Sequence, residues 1–246
     1  MRRVFVTLIS ASFVIFSGCG KPSYDRRIAL TVENLARERE LNTKLTPPPA
    51  TADGKFQDLG IYVRPPKGDA YVKTFFLGEP TPGLFDLTES FTDKATGQAL
   101  HTIARVKQAK KPPAKGQPVA EEPVVARGEF TADVLGFLQQ VYGSADEIQP
   151  AKLKSESKKS NTFKKLSFVT TGANNATTTV QVFIYKKEPY DVALIFSIPT
   201  ANLAKQLSTI DLCLESFAVN PKAKTLYAGG ATEEEGGESA GSGSNF

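Results

Sequence analysis

The side chains that could do covalent or acid–base chemistry are scarce in this chain. His101 is its one histidine, and Cys19 and Cys213 are its two cysteines. One imidazole and two thiols cannot build a zinc centre of the His/Cys kind, and they argue against most Cys/His nucleophile schemes. His101 alternates with Leu100 and Ile103, the ordinary setting of a surface or hydrogen-bonded histidine on a strand. No Gly-x-Ser-x-Gly occurs, and Ser155-Glu156-Ser157-Lys158 has the Ser-x-x-Lys spacing inside a lysine-rich stretch rather than at a helix start. Asp86, Glu89, Asp93, Asp133 and Asp211 are candidates for the paired carboxylates of glycoside hydrolysis. A chain with 26 acidic residues supplies such pairs by chance. Asp53-Gly54 and Asp93 lack the repeated Asp/Asn spacing of a calcium loop. The expectation is a protein that is not an enzyme and holds no metal or cofactor. An esterase- or glycosidase-like reading would require His101 or two of these carboxylates to converge in one cleft.

Cys19 has the more informative surroundings. Arg2-Arg3 precedes the apolar run Val4 to Phe16, which is interrupted by Thr7, Ser10 and Ser12. The run is shorter than the roughly 20 residues a membrane-crossing helix needs, and its charge-then-apolar order is that of a secretory signal peptide. It closes in Phe16-Ser17-Gly18-Cys19, which resembles the lipobox of bacterial lipoproteins, with Phe16 where an aliphatic residue is usual. The resemblance implies cleavage between Gly18 and Cys19, removal of residues 1–18, and acyl chains on Cys19. Each buried methylene contributes roughly 0.8 kcal/mol, so two or more chains anchor stably. The alternative is an ordinary signal cleaved near Gly18, with Cys19 a passive thiol. Gly20 follows the cysteine rather than an Asp, which favours the outer over the inner membrane. The expected place is the cell envelope, facing away from the cytoplasm. Removing Arg2 and Arg3 leaves 28 basic against 26 acidic side chains, a net +2 that is too mild to argue for nucleic acid. With Cys19 acylated, Cys213 has no disulfide partner.

The elements that would position these residues follow from periodicity. Residues 19–55 read as a tether, with Ile28, Val32 and Leu35 at helical spacing among charges: a short amphipathic helix lying near the membrane or against the domain, or an exposed linker. Pro47-Pro48-Pro49 stops it. The globular part is expected over 56–220. Strands are expected at 59–64, 71–77, 85–92, 100–106 and 124–127, with a disordered proline-rich insert at 107–123. A helix capped by Thr131 and ended by Gly143 follows. Residues 151–165 carry six lysines: Lys152, Lys154, Lys158, Lys159, Lys164 and Lys165. They read as a solvated loop, or as an electrostatic patch facing anionic lipid or an acidic partner. Leu166–Phe168, Val180–Ile184 and Val192–Ile198 alternate as an antiparallel meander with one buried face. Leu203, Leu207, Ile210, Leu214 and Phe217 then trace a helical stripe, with Cys213 beside it as a small core residue. Residues 221–246 read as a flexible acidic Gly/Ser tail.

The opening Gly60-Ile61-Tyr62-Val63-Arg64-Pro65-Pro66, the three strands, and Ile210 to Phe217 resemble the Mog/PsbP-like fold. This implies an α+β domain, an antiparallel sheet flanked by helices, in a family that mostly serves as docking modules. No functional residue of that family matches here. The expected function is an envelope lipoprotein acting as a non-enzymatic interaction or assembly module, with envelope proteins as its possible partners. The alternative is a small apolar-ligand binder with a cavity lined by Phe168, Ile184, Phe196 and Leu207.

Overall fold

A computed structural model describes residues 21–47, 54–72, 77–78, 80–107, 127–143, 146–172 and 175–227. Residues 1–20, with Gly18 and Cys19, most of the 107–123 insert and residues 228–246 lie outside them. The chain divides into two units, Met1–Lys44 and Leu45–Phe246.

Among the described residues the first unit holds one helix, α1 (Lys21–Lys44), of 24 residues. It runs well past the short helix expected from Ile28, Val32 and Leu35. Good helix formers continue through Arg37-Glu38-Arg39-Glu40, and Glu40 and Lys44 pair at i,i+4.

In the second unit, α2 (Lys55–Leu59) and β1 (Ile61–Tyr62) precede β2 (Ala70–Val72), β3 (Leu87–Asp93) and β4 (Gln98–Val106). Next come α3 (Phe130–Tyr142), the hairpin β5 (Lys154–Lys158) and β6 (Asn161–Thr171), then β7 (Thr177–Lys187) and β8 (Tyr190–Pro199). Helix α4 (Leu203–Ser216), β9 (Ala218–Val219) and α5 (Lys222–Tyr227) close the described chain. Strands β2 to β8 form one seven-stranded sheet in the order β2-β3-β4-β8-β7-β6-β5, every pair antiparallel. This is the α+β class expected, an antiparallel sheet flanked by helices.

The register sorts side chains between the two faces, because residues directly opposite in an antiparallel pair share a face. Phe168, Val180, Val182, Ile184, Ala193 and Ile195 pack in one buried cluster with Phe130, Val134, Phe137 and Leu138 of α3. Leu100, Phe183 and Phe196 point the other way, where Phe163 stacks on Phe183 and Phe217, and Phe56 of α2 meets Phe91. The meander is therefore covered on both sides, and Val180 to Tyr185 are buried without a break. Alternation had suggested a single buried face. Gln181 and Thr179, two of the polar positions in β7, are buried too.

Local details also depart from expectation. The cap of α3 is Glu129, whose side chain accepts from the Ala132 N–H, while Thr131 lies buried inside the first turn. A carboxylate there also matches the positive end of the helix. Gly143 ends α3 in the left-handed conformation, as its position suggested. Residues 154–158 and 161–165, expected in a loop, are paired strands, and the second of them runs on through the strand expected at Leu166–Phe168. The inward face of α4 is Ile210, Cys213, Leu214 and the flanking Phe217, all buried, whereas Leu207 is 44% exposed. Residues 222–227, expected at the start of the tail, are helical: Ala223 is buried and the Tyr227 hydroxyl donates to the Ile61 carbonyl at 2.8 Å. The strand expected at 59–64 is only β1, paired with β9. Of the expected 124–127 strand, Arg127 alone is described, and it is not in a strand.

Candidate interaction surface

Most of the chemically capable residues are used up in holding the domain together. His101 is buried on β4, its Nδ1 2.8 Å from the Ser90 hydroxyl, and burial pushes its pKa down to about 4. It is a neutral interior group at pH 7. Asp86 accepts from Arg127 at 2.8 Å and from the Val106 N–H at 2.9 Å. Asp133 takes the Arg105 guanidinium at 2.7 Å, and Arg105 also lies over the rings of Phe85 and Phe130. Asp93 ties down the β3–β4 turn through the Ala95 N–H and the Thr96 hydroxyl, which together lower its pKa. Glu89 is buried with Lys55 4.0 Å away. Ser155 and Lys158 project from opposite faces of β5, so they form no dyad.

Asp69 was not singled out by sequence reasoning. It is 5% exposed, and burial, opposed by the hydrogen bond from Gln98 Nε2 at 2.9 Å, moves its pKa up to about 7. Its Oδ2 makes no hydrogen bond. Nothing in Lys67-Gly68-Asp69 distinguishes it from a turn aspartate, and its burial comes wholly from tertiary structure. Cys213 is fully buried, and its thiol is pushed up by burial and then by the charge of Asp69.

The lysine-rich segment becomes an edge hairpin, turned at Lys159 with φ +50°. Residues 154, 156 and 158 of β5 share a face with 161, 163 and 165 of β6. On that face Glu156 accepts from Lys165 at 2.9 Å and Lys158 at 3.2 Å, and Lys158 reaches Asp211 of α4 at 2.9 Å. The Asp211 bond raises the Lys158 pKa. Lys165 also sits 5.1 Å from the centre of the Phe183 ring. Lys158 and Lys165 thus bind the hairpin to the domain. Lys154 is exposed on the same face, Lys164 is exposed on the other, and Lys152 and Lys159 are exposed at the hairpin's ends. The six lysines are therefore not one patch. Four of them are exposed, on both faces and at both ends of the hairpin, and two are structural.

Beside the hairpin turn is an open groove of about 200 Å³. Its floor is aromatic, from Tyr185 and Phe217 with ring centres 5.0 Å apart. Asn161 fixes one wall by donating to the Phe217 carbonyl at 2.8 Å. Lys187 and Lys222 are exposed at its rim, and the neighbouring Glu188 turns its carboxylate to Lys107 at 2.6 Å. An aromatic floor with Lys187 and Lys222 at the rim suits an acidic surface or peptide. The four residues expected to line an apolar cavity do not meet: Phe168 and Ile184 belong to the α3 face, Phe196 to the α4 face, and Leu207 is exposed.

Compared with known proteins, the chain matches no family and no curated protein. Distant likenesses exist among solved structures. A Bacteroides thetaiotaomicron protein is 9% identical, with a TM-score of 0.40 over 65% of this chain, which spans only 45% of that one. The cyanobacterial PsbP of Synechocystis is 14% identical, with a TM-score of 0.41 over 72% of this chain and 92% of its own. The Saccharomyces cerevisiae Ran-binding protein Mog1p is 12% identical, with a TM-score of 0.33 over 65% and 90%. None of them transfers a site residue or an activity to this chain.

Proposed function

We propose that this chain is an envelope lipoprotein, anchored through acyl chains on Cys19, whose folded domain is a non-enzymatic interaction or assembly module. The outer membrane is the expected site, with the domain facing away from the cytoplasm. The observation that carries the reading is the division of labour among the charged groups. Asp86, Asp133 and Asp211 are ion-paired, Glu89 and His101 are buried and Asp93 is held in its own turn, while Lys152, Lys154 and Lys164 are exposed on or beside the edge hairpin and Lys187 and Lys222 at the rim of a groove lined by Tyr185 and Phe217. Such an edge recruits acidic protein surfaces, and its pairing capacity is guarded against indiscriminate strand addition by the same lysines.

The test is crosslinking in intact cells with the wild type, Cys19→Ala and a Lys154→Glu/Lys164→Glu variant. The reading expects reproducible envelope partners that disappear in Cys19→Ala and fall several-fold in the lysine variant. A wild type that retrieves no partner, with native mass spectrometry finding a retained small molecule on the domain, would replace it with the ligand-binding alternative.

A further inference from the structure

The first unit carries a feature that the docking surface does not use. On α1, Tyr24, Ile28, Val32 and Leu35 are 64%, 47%, 60% and 55% exposed. At 100° per residue these four fall within an arc of about 80°, with Leu30, 49% exposed, on the far side of the helix, and at 1.5 Å per residue the stripe is about 17 Å long. Four large apolar side chains in one exposed line are costly in water and call for a cover.

We infer that this stripe lies in the membrane surface, with α1 parallel to the bilayer and its apolar side chains at the headgroup–acyl boundary. The inference rests on the proposed acylation of Cys19, which stands two residues before the helix begins. Acyl chains at that position hold the first turns of α1 within a few ångströms of the lipid. Charge agrees with this placement. Residues 21–32 carry Lys21, Arg26 and Arg27 against Asp25 alone, a net +2, whereas Glu33, Arg37, Glu38, Arg39, Glu40 and Lys44 cancel over 33–44. The half nearest the anchor is thus the half that suits anionic headgroups. A second copy of the helix fits less well. With Ile28 and Leu35 at d positions of a coiled-coil seam, the a positions are Asp25, Val32 and Arg39 and the next d is Asn42, so charged and polar residues interrupt the seam on both sides of Val32.

The chain contains no tryptophan, so an introduced one is a unique reporter. The full chain is placed in vesicles of phosphatidylethanolamine and phosphatidylglycerol, bearing either Leu35→Trp on the stripe or Glu33→Trp on the opposite side. Both positions are exposed, so the fold tolerates them, and a thermal melt checks this. The expected result is a blue-shifted Leu35→Trp emission quenched several-fold by brominated lipid, with Glu33→Trp instead quenched by aqueous iodide. Mass measurement of the membrane-extracted protein reads Cys19 acylation separately. An acylated, vesicle-bound protein whose Leu35→Trp remains open to iodide and untouched by brominated lipid overturns the inference and leaves the anchor intact. Lipid quenching on an unacylated chain upholds the membrane-lying helix and removes the anchor. Absence of both removes both.

Discussion

Lys158 Nζ lies 2.9 Å from Asp211 Oδ1, joining the edge hairpin to the last long helix of the domain. The lysine at the centre of the basic segment is therefore a bracket, and its charge is already answered by Asp211 and Glu156. This separates the lysines by what their removal does. Lys158→Ala should lower stability by about 0.5 kcal/mol, since the pair is partly solvent-screened. Lys154→Glu/Lys164→Glu should leave the melting temperature unchanged while weakening capture of acidic partners. Chemical denaturation and crosslinking yield, measured on the same preparations, check the two halves.

Gly60 holds φ +67°, and a β-carbon there would lie 2.0 Å from Asn220 Nδ2. Gly60→Ala combines a left-handed residue with a steric clash, each costing about 1–2 kcal/mol. The expected loss is about 3 kcal/mol in urea denaturation. An unchanged midpoint would mean that the Asn220 side chain does not sit over Gly60.

Asp69 and His101 should tilt the pH–stability curve in opposite senses. The folded Asp69 carboxyl is raised to about 7 from an ordinary value near 3.8, so its contribution is fully present below pH 4 and is lost as pH rises towards 7. The folded His101 is lowered to about 4 from 6.5, so its contribution is present above pH 6.5 and is lost as pH falls towards 4. Asp69→Asn should therefore make stability fall more steeply on acidification between pH 7 and 4. His101→Gln should do the reverse. Melting temperatures across that range for the three proteins decide it.

Cys213 is fully buried and its thiol is held well above the ordinary range by burial and by Asp69. A maleimide should leave it unmodified in the native protein and label it rapidly in denaturant, read by peptide mass at Cys213. Native labelling at a rate like that of a free thiol would contradict the packing of α4.

The legible parts of the fold were those whose pattern is apolar. Val180, Val182 and Ile184 against Val192, Leu194 and Phe196 announced the meander, and the α3 stripe with Gly143 announced a helix and its end. The hairpin at 154–171 was hidden because Lys154-Ser155-Glu156-Ser157-Lys158 has no apolar alternate positions. What holds it is cross-strand pairing of Glu156 with Lys165 and the reach of Lys158 to Asp211, which sequence spacing does not reveal. Leu207 misled because the five leucines and isoleucines of α4 suggest several overlapping stripes, and tertiary packing selected the one through Ile210 and Cys213. The groove beside Asn161 was invisible for a different reason. Its walls come from residues 160–161, 185–190 and 217–222, brought together only by the sheet order.

The pairing of β1 with β9 makes the domain a ring. Ile61 stands opposite Val219, the strands are antiparallel, and the Asn220 N–H donates to the Gly60 carbonyl at 3.0 Å, so the chain enters and leaves at one end of the same two-residue ladder. A ring has no privileged origin. A short linker across the clasp, with the chain reopened at the exposed turn residues 188–189, would give a permuted polypeptide with the same seven-stranded sheet. Where the chain enters and leaves this domain is thus a matter of topology independent of its packing, and the point of entry can be moved by engineering without rebuilding the core.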